Sequence, residues 1–105
     1  MGIEKVEIEV LKLANTKNLA LRFWADDLFD SLDKLPDKRL VLDFAGIEFM
    51  SRSFANEYLK LKRTSNKKIT EKNLSDNLKE MLRLAASTKS RVQKYKETSQ
   101  IASLL

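Results

Sequence analysis

Residues 40–63 change from one periodicity to another within a few positions, and this change limits the fold more than any other feature of the chain. Leu40-Val41-Leu42-Asp43-Phe44 is a short, largely apolar run, the pattern of a central strand covered on both faces. Ala45-Gly46 supplies a turn, and Ile47-Glu48-Phe49-Met50 continues extended. Residues 53–63 then follow helical spacing through Phe54, Ala55, Tyr58, Leu59 and Leu61, with Ser51 or Ser53 placed to cap the helix. A strand that passes directly into a helix is the building unit of an α/β layer structure.

The flanking segments fit the same architecture. Val6, Ile8 and Val10 alternate with Glu7 and Glu9, which predicts a strand with one wet face; Leu11 and Leu13 break the phase, so a bulge or strand end is expected near Val10. Leu21, Trp24, Leu28, Leu32 and Leu35 recur at spacings of three and four, predicting a helix over 19–35 that Pro36 terminates. Lys68-Ile69-Thr70 suits a short edge strand blunted by its lysines. Ser75 caps a further helix with Leu78, Met81, Leu82 and Ala85 as its apolar stripe. The expected fold is α/β, a mixed sheet of about four strands with helices packed on it. Residues 1–88 form the domain, and 89–105 form a basic C-terminal helix or mobile tail.

The 105 residues fit one domain. The absence of cysteine removes disulfides, thiolate metal sites and thiol nucleophiles. The absence of histidine removes the commonest general base and every Ser-His triad. With only Gly2 and Gly46, no glycine-rich phosphate loop can be built. These gaps argue against an enzyme and imply no cofactor and no metal. No run approaches the ~20 apolar residues of a membrane span, so a cytoplasmic protein is expected. Charge is unevenly distributed. Residues 1–59 carry 8 Lys/Arg against 11 Asp/Glu, and residues 60–105 carry 12 against 4, giving −3 and +8 within a net of +5.

Residues 40–59, LVLDFAGIEFMSRSFANEYL, resemble the STAS-like domain of unknown function, within the wider group of sulphate-transporter and anti-sigma-factor-antagonist domains. The likeness is carried by Leu42-Asp43-Phe44, Ala45-Gly46-Ile47 and the run Ser51-Arg52-Ser53-Phe54-Ala55-Asn56-Glu57, with Leu21-Arg22-Phe23 through Leu28 similar to that family's first helix. The resemblance implies a STAS-like fold and a non-enzymatic regulatory role. A protein partner, such as an ATPase-type kinase of the histidine-kinase-like class or an anti-sigma-like factor, would dock on the strand–turn–helix edge at 49–58. In the antagonists a serine at this helix start is phosphorylated and the charge releases the partner. Here Arg52 stands at that position, and Phe54 stands where a glycine follows the antagonists' serine pair.

The partner-binding candidates are therefore Ser51, Arg52, Ser53, Phe54 and Glu57, with Phe54 expected at the rim of an interface. Ser51 and Ser53 are candidates both for capping and for phosphorylation. Asp43 reads as a cap for the following turn or as a strand-end catalytic carboxylate. Asp26, Asp27, Asp30 and Asp33 read as a solvated helix face or as ligands for a hard cation. Lys60, Lys62, Arg63, Lys67 and Lys68 are anion-binding candidates. They support an alternative in which the basic half, 60–96, associates with nucleic acid, although interleaved aromatics for base stacking are missing. A further alternative is a homo-oligomer that sets the acidic helix of one copy against the basic half of another.

Overall fold

The computed structural model describes residues 5–87; the expected tail at 89–105 lies outside them. Three parallel strands form the main sheet in the order β1–β3–β5, with β1 at Val6–Glu9, β3 at Arg39–Asp43 and β5 at Lys68–Lys72. Helix α1, Val10–Ala14, follows β1 directly. Strand β2, Asn18–Leu19, then leads to helix α2, Phe23–Asp33. Strand β4, Phe49–Met50, leads to helix α3, Arg52–Thr64. After β5, Ser75 Oγ accepts the Leu78 N–H at 3.2 Å and opens α4, helical through residues 76–87.

The expected mixed sheet of about four strands is instead wholly parallel and divided. The two-residue strands β2 and β4 pair with each other, Asn18 opposite Phe49 and Leu19 opposite Met50, outside the main sheet. Of the two alternatives at Val10 the strand end is found: β1 stops at Glu9 and helix α1 follows, closed at Asn15 by a left-handed residue with φ 57° whose N–H bonds the Leu11 carbonyl. Asparagine tolerates that region better than most residues. Helix α2 starts four residues later than its spacing predicts, because Asn18 and Leu19 are taken by the β2–β4 ladder.

One buried cluster holds the layers together. Leu40, Leu42 and Ile69 from the sheet meet Ala25, Leu28, Phe29 and Leu32 of α2 and Phe54, Ala55 and Tyr58 of α3. Two successive crossovers in the same direction along the sheet place both helices on one face, against Leu40, Leu42 and Ile69. Strand β3 is therefore covered on one face and not on both. Leu40 and Leu42 are buried, whereas Arg39 is exposed and Val41 and Asp43 are half-buried. The opposite face carries exposed Glu7, Glu9, Lys68, Thr70 and Lys72. Lys72 Nζ reaches Glu7 at 2.9 Å across it, which raises the lysine pKa. The apolar run in β3 reflects a well-filled single interface with the helices, not burial on two sides.

Candidate functional site

Both crossovers leave the sheet at the C-terminal ends of the strands, so α2 and α3 begin at the same end of the molecule. The β2–β4 ladder ties these two beginnings together just before each helix starts. The Ser51 N–H donates to the Leu19 carbonyl at 2.9 Å, and the Glu48 N–H to Lys17 O at 2.9 Å.

The turn after β3 is set by Asp43 and Gly46. Asp43 Oδ1 accepts from the Ala45 N–H and from Asn73 Nδ2, both at 2.9 Å. The Asn73 amide, the Ala45 N–H and nearby Lys72 hold this carboxyl below its ordinary range. Asp43 is thus a turn-forming carboxylate that pins the loop after β5. Gly46 has φ +84°, and a Cβ there would stand 2.8 Å from Leu11 Cδ2. The left-handed backbone is what calls for glycine at this position, since the Leu11 methyl lies at the end of a flexible side chain.

Ser51 is the N-cap of α3. Its hydroxyl accepts the Phe54 N–H at 3.0 Å and lies 3.2 Å from the Ser53 hydroxyl. Arg52 and Ser53 are exposed, and Ser51 is half-buried. Phe54 is wholly buried, so the sequence-based expectation that it sits at an interface rim is corrected. Its ring lies 6.1 Å from Tyr58 in a stacked arrangement, and it makes core rather than surface. The periodicity that places Phe54 on the inner stripe with Ala55 and Tyr58 was the signal for this. The exposed apolar residue of the edge at 49–58 is Phe49, 46 % accessible, at its first position.

Glu57 faces α2, where its carboxyl shares a hydrogen bond with Asp26. That bond and partial burial push its pKa up, against the pull of Lys60 and Arg22. Tyr58 donates to Glu71 Oε2 on β5, and Lys62 Nζ donates to the same oxygen at 2.7 Å. Burial and the Glu71 charge push the phenol pKa far up, so it remains a donor.

Three of the basic candidates have partners within the fold. Lys62 is engaged with Glu71. Lys67 Nζ donates to the carbonyls of Leu35 at 2.6 Å and Asp37 at 2.8 Å, closing the loop after α2. Lys60 lies 4.0 Å from Glu57. Arg63 and Lys68 are exposed, on α3 and β5 respectively. No group of three or more acidic ligands poised for a metal occurs among the described residues, and Asp26, Asp27, Asp30 and Asp33 are exposed along α2. No helix among the described residues is long and apolar enough to cross a membrane. No family model, no curated protein and no solved structure matches the chain.

Proposed function

We propose that this protein is a non-enzymatic, STAS-like regulatory module that docks a protein partner along β4 and the first turn of α3. The observation that carries this is the exposed Phe49 ring next to a helix start that is already locked in place. An apolar anchor on a rigid support loses little freedom on binding. Arg52 and Ser53, both exposed, extend the surface beyond it. The resemblance of residues 40–59 to STAS-like domains supports the same edge and points to an ATPase-type kinase as partner.

Ser53 is the better acceptor for a regulatory phosphate, because the Ser51 hydroxyl is occupied by the Phe54 N–H. A phosphate on Ser53 would sit in the favourable field of the helix N-terminus and reverse the charge presented beside Arg52.

Titration of the purified protein with a histidine-kinase-like ATPase domain is the test. Phe49→Ala and Arg52→Glu should each weaken binding while circular dichroism remains unchanged. Binding that is insensitive to both substitutions overturns the assignment of the edge.

A further inference from the structure

Residues 1–59 carry more acids than bases, yet the fold takes two cations from that half and sets them beside one from the basic half. Arg39 opens β3 and Lys68 opens β5, and the two are partners across the ladder. The next residues, Leu40 and Ile69, are buried against the helices, so Arg39 and Lys68 belong to the other face, where both are exposed. Exposed Lys5 stands one position before Val6, which pairs with Leu40, and the alternation of β1 extends the row to it. Neighbouring strands run about 4.8 Å apart, so the three cations share a span of about 10 Å at the N-terminal ends of the strands.

Such a row works against the fold, because like charges directly opposite each other in a sheet are destabilising. The acids of the same face do not relieve it. Glu7 pairs with Lys72, Glu9 pairs with Lys12, and Asp43 holds the Ala45 N–H and Asn73. Lys5, Arg39 and Lys68 make no ion pair with any described carboxylate, and neither does Asp37 in the loop before β3. What complements the row is a series of negative charges on another molecule. Its surroundings narrow the choice. The strands β1, β3 and β5 carry no aromatic residue, so the stacking that holds single-stranded bases is missing. The large exposed apolar residues, Leu13, Leu21, Phe23 and Phe49, lie on segments that follow the C-terminal ends of the strands, so no apolar group beside the row can enter a lipid surface. A duplex carries one negative charge per about 1.7 Å of its axis and is held through phosphates without base contacts.

We infer that this end of the sheet binds the phosphate backbone of duplex nucleic acid through Lys5, Arg39 and Lys68, without reading its sequence. The row lies at the opposite ends of the strands from the β4–α3 edge, so it does not depend on that edge.

The probe is a fluorescein-labelled DNA duplex of about 20 base pairs, titrated with the full chain from about 20 mM salt upward and followed by anisotropy. Log affinity should fall against log salt with a slope of about −2.7, that is about 0.9 for each of three phosphates. Arg39→Gln should make the slope shallower by about 0.9 and weaken binding to the same extent on a second duplex of unrelated sequence. Without DNA its thermal melt should stay unchanged or rise, because the substitution relieves the repulsion with Lys68; a lower melting temperature would assign Arg39 to the fold and overturn the inference. Lys12→Gln removes the same charge at the other end of β1 and should leave the slope as it is, and so should Phe49→Ala. No binding at low salt, equal effects of Arg39→Gln and Lys12→Gln, or tighter binding to phosphatidylserine vesicles than to the duplex also overturn it.

Discussion

The two helices that cover the sheet begin side by side but are built in opposite ways. Helix α3 starts on a serine that caps it, with Phe54 wholly buried one turn in. Helix α2 starts on Arg22, which is already in the helical region and provides no side-chain cap. Its first turn closes with short-range bonds, the Trp24 N–H to Leu21 O at 3.1 Å and the Ala25 N–H to Arg22 O at 2.9 Å. There the apolar residues Leu21 and Phe23 are half exposed instead of buried. One start is locked by its own sequence. The other is held by what surrounds it, the β2–β4 ladder and the packing of Ala25 and Leu28. The capped start is complete within its own first turn, whereas the uncapped one leaves Leu21 and Phe23 in solvent.

Substitutions would test this contrast, beginning with the largest effect. Phe54→Ala should cost about 3–5 kcal/mol, since it empties a buried ring site stacked on Tyr58; a chemical-denaturation loss below about 1 kcal/mol would show that the α3 start is not packed as described. Tyr58→Phe should cost about 1–2 kcal/mol, because Glu71 loses a buried donor and retains Lys62 alone. Ser51→Ala should cost about 1 kcal/mol through the lost cap. At α2, Phe23→Ser should stay within about 0.5 kcal/mol of the parent, as for other exposed positions. A loss as large as that of Phe54→Ala would abolish the distinction between the two starts.

The smallest effect lies where the helices touch. The Glu57 carboxyl is held above its ordinary pKa mainly by its hydrogen bond with Asp26. Its favourable contribution is therefore complete below the ordinary carboxylate range and is lost as pH rises through the raised folded value. Glu57→Gln, which can still donate to Asp26, should stabilise the protein at pH 7 by less than the Ser51→Ala loss. It should give no gain near pH 4, as thermal melts at the two pH values would show. Asp43 has the opposite sign. Its lowered pKa contributes stability above the ordinary carboxylate range, and this contribution falls as pH drops through the folded value.

Much of this could be read from the chain itself. The alternation at Val6–Glu9, the period of α2 and α3, the cap at Ser51, the edge strand at Lys68 and the cap at Ser75 follow from local rules that need no distant partner. The lysine roles could not be read in this way. Lys62 and Lys67 appear in sequence as members of a basic cluster, and only the fold brings Glu71 and the Leu35 and Asp37 carbonyls within their reach. Phe49 illustrates the same limit, since no helical period bears on it and only the fold leaves it exposed.

By itself, then, the sequence determined the strands β1, β3 and β5, the helical period of α2 and α3 and the caps that start α3 and α4, because these depend on backbone preferences and on side chains a few residues apart. The tertiary structure alone decided that the strands all run parallel, that the described helices α2 and α3 cover one and the same sheet face, and that the starts of α2 and α3 lie together. Those outcomes depend on which distant segments pair and on the handedness of the connections between them. The energies involved belong to contacts between residues thirty or more positions apart, as in Asn73 with Asp43 and Lys67 with Asp37, and no local pattern encodes them.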